Sequence, residues 1–193
     1  GGGSRYLLVE NRKVENYVDM ALYYARMDAV YKDYMIAETN LQEVAQQVLL
    51  QNKYYLIQSH VKAEVACPDT VYSDKKWIAF ILNQLIQNSV KYGRSEGTHI
   101  QIVTKKTKSG VLLRVKDDGI GIPKEEIPRI FEKGFTGTNG RNRERSTGMG
   151  LYLCRKLCDK LNIEIRAESA EGKGTEIILM FPVSDYLTGY RET

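Results

Sequence analysis

Asn88, Lys91 and Tyr92, Asp117 with Gly119 and Gly121, and the run Gly148-Met149-Gly150 are the residues whose types and spacing could do chemistry. They fall in three stretches: Asn83 to Tyr92, Val115 to Pro123 and Ser146 to Leu151. In that order they describe a pocket that reads an adenine with a carboxylate, holds a metal with an amide and clamps phosphates with glycine backbone. An amide oxygen such as that of Asn88 is a hard ligand suited to Mg²⁺, which keeps waters and phosphate oxygens in its shell. Lys91 follows one turn on as a point charge toward phosphate. Asp117, at the end of an apolar strand, can accept from an exocyclic amine, and glycines beside it admit a flat ring close to the backbone. Gly148 and Gly150 open a helix, where backbone N–H groups favour anions.

Each stretch has a plainer reading when taken alone. Gln84, Asn88 and Lys91 share one helix flank that could simply face water. Asp118-Gly119 is an ordinary turn pair. The glycine run is neither a P-loop, since no Gly-Lys-Ser/Thr closes it, nor a Rossmann fingerprint, since it follows a loop. The weight rests on the three together.

The elements that must position these residues are legible as periodic patterns. Residues 6 to 30 carry apolar positions at helical spacing (Val14, Val18, Ala21, Leu22, Ala25 and Ala29) without glycine or proline, which predicts a long helix with one narrow seam that needs a partner. Residues 34–38 read as a short strand. Asn40 with Glu43 forms a capping box that opens a helix, with Leu41, Val44, Ala45, Val48 and Leu49 as its apolar face. Residues 56–66 have strand character, and Val71-Tyr72 reads as another short strand. Ser73 is expected to cap a strong helix from Asp74 to Tyr92. Strands at 99–105 and 111–117, and at 163–169 and 175–181, form two hairpins. Between the hairpins lies a helix over 149–161, buried through Cys154, Leu157, Cys158 and Leu161. The expected class is α+β: a two-layer sandwich with helices on one face of a mixed, mostly antiparallel sheet, preceded by a long helix.

Composition bounds the rest. The chain has 193 residues, room for one full domain and an appendage. Basic residues exceed acidic ones only by 28 to 24, too little to argue for nucleic acid, and none is expected as a partner. The basic residues gather at Lys133, Arg141, Arg143 and Arg145, either a solvated loop or a basic flap over an anionic ligand; the neighbouring motifs favour the flap. Three cysteines argue against a disulfide framework and for small buried side chains in a reducing compartment. No apolar run among these residues is long enough to span a membrane, and none of them is expected to act as a signal peptide. Residues 1–5 read as an added linker and 188–193 as a tail.

The chain resembles the catalytic, ATP-binding part of bacterial sensor histidine kinases, relatives of the gyrase and mismatch-repair ATPases. Asn83 to Tyr92 resembles the N box of that family, Asp117 to Gly121 its G1 box, Ile130-Phe131-Glu132-Lys133-Gly134-Phe135 its F box, and Gly148 to Leu151 its G2 box. The match covers about 34–182, and the domain is placed at 34–187. Residues 6–33 are similar to the second helix of the dimerisation and histidine-phosphotransfer domain. The phrase Glu15 to Tyr24 is similar to the subgroup that works beside antimicrobial-peptide transporters.

The resemblance implies a histidine-kinase/gyrase-type fold and a set of roles. Asn88 coordinates Mg²⁺. Lys91 and Tyr92 line the nucleotide site. Asp117 bonds the adenine amine, while Gly119, Gly121 and Ile122 shape the base pocket. Residues 132–147 form an ATP lid. Phe131, Lys133, Arg145, Thr147, Gly148, Met149, Gly150 and Leu151 complete the ATP contacts. Asn88, Lys91 and Gln84 are the expected catalytic residues; Gln84 stands where many relatives carry Asn or Glu, and a neutral amide is no general base, while Asn83 points to another face. The two histidines, His60 and His99, do not fit the acceptor motif and read as ordinary strand residues. The acceptor histidine is therefore expected upstream of this sequence. The parent is expected to be a homodimer through a helical bundle, anchored on the cytoplasmic side of the bacterial membrane by segments outside this sequence, and to relay phosphoryl to a response-regulator receiver domain. A serine kinase of the anti-sigma-factor type on the same fold, and a nucleotide-binding interaction module without phosphotransfer, remain as rivals.

Overall fold

A computed structural model describes residues 35–137 and 150–183. The expected helix of residues 6–33, Arg145, Thr147, Gly148, Met149 and the tail lie outside the described residues. The elements run β1 (Ala37–Asn40), α1 (Leu41–Gln51), α2 (Lys53–Gln58), β2 (Val61–Ala66), β3 (Thr70–Ser73), α3 (Lys75–Lys91), β4 (Thr98–Thr107), β5 (Gly110–Asp117), a 3₁₀ turn (Ile127–Arg129), α4 (Gly150–Lys160), β6 (Glu164–Ala170) and β7 (Gly174–Pro182).

The main sheet has the order β2-β4-β5-β7-β6. Only β2 and β4 pair in parallel; the other pairs are antiparallel. Period-2 alternation divides its faces. Val111, Leu113, Val115 and Asp117 of β5 are buried, whereas Lys116 is exposed. Helices α1, α3 and α4 cover the buried side through Leu41, Val44, Val48, Trp77, Ile81, Leu85, Cys154 and Leu157. Trp77, Ile78, Ile81, Leu82, Leu85 and Ile86 are each 0% exposed, so α3 is the central helix of that layer.

The α+β sandwich agrees with the expectation, three details differ, and the sheet to which β1 belongs comes from the structure alone. The first strand begins at Ala37 rather than 34, because the outward Met35 is 79% exposed and its N–H goes to Asp74 Oδ2 at 2.6 Å instead of to a strand. β1 does not join the main sheet; it pairs with β3 in a separate two-stranded ribbon. Residues 56–58 belong to a short helix, and His60 is not a strand residue but a turn residue at φ 56°, just before β2. Asp74, not Ser73, caps α3: its Oδ1 accepts from Trp77 N at 3.1 Å. Asn40 does cap α1, accepting from Glu43 N at 3.1 Å.

Candidate functional site

The alternation of β5 carries Asp117 onto the helix-covered face at the strand's last position. Its cross-strand partner is Thr175, and Ser169 of β6 stands opposite Thr175. The buried face of the sheet thus ends in a polar row. Asp117 is 4% exposed, and its Oδ1 accepts from Gly119 N at 3.0 Å and Thr175 N at 3.2 Å. Burial pushes its pKa up from 3.8 to about 6; the bonds from Gly119, the Ser89 side chain and Thr175 pull it back, and the charge of Asp118 adds to the rise. Ser89 comes from α3, so helix and sheet meet at this carboxyl. Asp118 turns away and accepts from His99 N at 2.6 Å.

The loop after Asp117 is held on every side. Ile120 N donates to Tyr92 O at 2.8 Å, and Ile120 O accepts from Gly172 N at 2.7 Å. A Cβ on Gly119 would stand 2.1 Å from Tyr92 O. Gly121 has φ 76°, and a Cβ there would stand 2.1 Å from Ala170 O. Both glycines therefore let protein backbone approach, a role the sequence reading assigned only to a ligand ring. Ile122, fully buried, donates its N–H to Ser169 Oγ at 2.8 Å. Arg94 reaches three carbonyls: Asp118 O at 3.0 Å from Nε, and Gly119 O at 3.2 Å and Gly172 O at 2.7 Å from Nη2.

The C-terminal half of α3 faces this loop. Gln84 is 5% exposed and meets the start of α4: a Cβ on Gly150 would stand 2.8 Å from Gln84 Oε1. Asn83 lies on another side and accepts from Asn52 Nδ2 at 2.8 Å. Asn88 is half-buried. Lys91 Nζ donates to Thr136 O at 2.9 Å and lies 5.3 Å from the Tyr92 ring centroid; burial lowers its pKa. Tyr92 is buried, and its hydroxyl pKa is pushed up to about 12 by burial and by the charge of Glu126. Phe131 is half-buried with the Arg155 guanidinium 5.5 Å from its ring centroid, Lys133 is exposed, and Leu151 packs against the core.

The structure thus gathers Asn88, Lys91, Tyr92, Asp117, Gly119, Gly121 and Ile122 around one end of α3, with Gly150 beside Gln84. Sequence reading missed Ser89, Arg94, Ser169 and Thr175. The available signal was the turn Glu171-Gly172-Lys173-Gly174, whose glycines mark a close backbone approach as well as a hairpin. Among the described residues no group of three or more His, Cys, Asp or Glu could hold a metal ion.

A mixed sheet with one helical layer thus ends in a buried acid beside the C-terminus of the central helix. A family model described as "Histidine kinase-, DNA gyrase B-, and HSP90-like ATPase" matches residues 73–185, and the chain belongs to that family. It is 34% identical over 174 residues to the sensor histidine kinase YxdK of Bacillus subtilis (strain 168), covering 89% of this chain and 54% of that protein. It is 36% identical over 184 residues to the sensor protein kinase GraS of Staphylococcus aureus (strain JH1), covering 93% and 52%. The chain spans about half the length of these curated relatives. Among solved structures it resembles the nucleotide-free catalytic domain of the histidine kinase ThkA (26% identity, TM-score 0.65, 77% of this chain and 97% of that one). The fold is shared with the Acinetobacter baumannii histidine kinase AdeS at 19% identity (TM-score 0.71, 93% and 83%).

Proposed function

We propose that this domain binds Mg·ATP at the end of α3, and that its parent protein transfers the γ-phosphoryl to a histidine for relay to a response-regulator aspartate. Asp117 carries the reading: a buried carboxyl, oriented by two backbone N–H groups, is poised to accept the exocyclic amine of adenine. The two sensor kinases similar to this chain over most of its length support the kinase class. Residues 6–33 are then the second helix of a dimerisation and phosphotransfer bundle, 34–187 the catalytic domain, and the parent a homodimer on the cytoplasmic side of the bacterial membrane.

The side chains would divide the work. Asp117 fixes the base, with Gly119, Gly121 and Ile122 forming its wall. Tyr92 and Phe131 line the site, and Leu151 supports it from α4. Lys91, already directed at the backbone of Thr136, faces the phosphates. Lys133, Arg145, Thr147, Gly148, Met149 and Gly150 are assigned to contacts with the nucleotide, as the resemblance implies. The half-buried Asn88 carries an amide oxygen, a hard ligand that suits Mg²⁺, and it would share the ion with phosphates and waters. When bound, that ion offsets charge on the transferring group.

The chemistry asks the chain chiefly for positioning. The lone pair of a neutral imidazole nitrogen forms the N–P bond. The bond from γ-phosphorus to the bridging oxygen breaks, and ADP leaves with the electron pair. Gln84 accepts no proton in this scheme, and none is required of it.

Calorimetry with ADP, with and without Mg²⁺, tests binding; labelled ATP with a separately expressed acceptor domain tests transfer. The expected result is Mg-dependent uptake and a label on histidine. Asn88→Ala should lose the Mg²⁺ dependence while keeping the fold. No nucleotide uptake, or label only on serine, overturns the reading.

A further inference from the structure

The turn after α3 does more than end a helix. Gly93 N bonds Val90 O at 3.0 Å, Arg94 N bonds Thr98 Oγ1 at 2.7 Å, and Gly97 N bonds Arg94 O at 3.2 Å. Thr98 is 4% exposed, and its own N–H goes to His60 O at 3.0 Å. The backbone of Arg94 is therefore fixed to the start of β4, and only its side chain has room to choose partners. It takes three carbonyls from two segments far apart in sequence: Asp118 and Gly119 of the loop after β5, and Gly172 of the β6–β7 turn.

One of these bonds bears on Asp117. The peptide group joining Asp118 to Gly119 carries the Asp118 carbonyl at one end and the Gly119 N–H at the other. The carbonyl is held by Arg94 Nε and the N–H by Asp117 Oδ1. A charged donor on a carbonyl polarises the peptide and strengthens the donor at its far end. The Gly172 bond ties the same guanidinium to the turn that leads into Thr175, whose N–H is the second donor to Asp117.

We propose that Arg94 is a positioning residue for base recognition, holding through one guanidinium both backbone donors that aim the Asp117 carboxylate at the exocyclic amine of a purine. The inference rests on the proposed role of Asp117 and extends it to a residue that acts on the base through the backbone it holds. Lysine cannot replace it: an ammonium is a point donor, whereas the planar fork spans two segments in fixed directions.

The test compares ADP with inosine diphosphate, which presents a carbonyl and an N1–H where adenine presents an amine and an acceptor. Calorimetry with both nucleotides is run on the unsubstituted chain, Arg94→Lys and Arg94→Ala, with melting curves for each. The unsubstituted chain should prefer ADP. Arg94→Lys, which keeps the charge and should fold, should reduce that preference about tenfold, chiefly by weakening ADP. Arg94→Ala should reduce it at least as far. General loosening of the fold would weaken both nucleotides alike, so an unchanged ratio in the folded Arg94→Lys chain overturns the inference while leaving Asp117 in place. If the unsubstituted chain shows no preference for ADP, the role of Asp117 fails first, and the inference falls with it.

Discussion

Asp117 and Thr175 face each other across the β5–β7 pair, and the Thr175 N–H donates to the Asp117 carboxyl at 3.2 Å. A backbone donor of one strand thus serves the side chain of its cross-strand partner. The contact lies at the last residue pair of the β5–β7 register, where the strands meet the loop after Asp117. It fixes the orientation of an acid that burial alone would leave neutral at mildly acidic pH.

Two opposite pH effects follow from this one carboxyl. Its pKa is raised in the fold from 3.8 to about 6, so the uncomplexed fold is favoured by the proton. That stabilisation is fully present below pH 3.8 and is lost as pH rises through 6, amounting to about 3 kcal/mol for a shift of this size. Recognition of an amine needs the opposite state, the carboxylate. ADP affinity should therefore fall about tenfold per pH unit below 6. Asp117→Asn should bind ADP weakly at every pH and be more stable than the unsubstituted chain at pH 7.5, with the advantage vanishing toward pH 4. Calorimetry and urea melts from pH 4 to 8 read both. A flat ADP profile in the unsubstituted chain removes Asp117 from the site.

Gly119→Ala isolates the packing of the loop from its chemistry. The new methyl would meet Tyr92 O at 2.1 Å and Asp117 Oδ1 at 3.0 Å. The nearer obstacle is backbone, so the loop or the end of α3 must move. A loss of about 1–3 kcal/mol in urea unfolding is expected, with ADP affinity down at least tenfold because the displaced loop carries the Gly119 N–H. Unchanged affinity would mean that the loop does not form the base wall.

The periodic part of this fold was legible because its signals are local. The apolar stripe of α3, the Asn40 cap and both hairpins each follow from residues within a few positions of one another. The ribbon of β1 with β3 and the parallel pairing of β2 with β4 were not, because they join segments separated by about 30 to 37 residues and depend on competition between strand edges. Asp117 and its glycines stood out by type and spacing. Arg94 did not, since its partners are carbonyl oxygens, which every residue carries and no side-chain pattern marks. The same blindness hid the reason for Gly119 and Gly121, whose neighbours are the carbonyls of Tyr92 and Ala170.

The cysteines offer a check on the core. Burial pushes the Cys67 thiol up to about 11 and Cys158 to about 12, and holds Cys154 well above its ordinary value. All three are buried and free of disulfides. Since the thiolate is the nucleophile, an aromatic disulfide reagent at pH 8 should label none of them in the native chain and all three in urea. Rapid native labelling of Cys154 or Cys158 would place α4 elsewhere than against α3.

Ser73 and Asp74 make the sharpest test of the domain's entry. The sequence pattern favours Ser73 as the cap of α3, yet its Oγ is buried without a hydrogen-bond partner. Asp74 instead serves two donors, Trp77 N through Oδ1 at 3.1 Å and Met35 N through Oδ2 at 2.6 Å, and so ties the start of the central helix to the chain entering β1. Asp74→Ala should cost about 1–2 kcal/mol from the lost cap, and more from the Met35 N–H left without its carboxylate. Ser73→Ala should be neutral or slightly stabilising, because it removes a buried hydroxyl that bonds nothing. Asp74→Asn separates the two contacts: its oxygen can still cap Trp77, but its amide group presents a donor to the Met35 N–H, so about half the loss should remain. Urea unfolding of the three variants ranks them, and the order Ser73 above Asp74 in cost would return the cap to the serine.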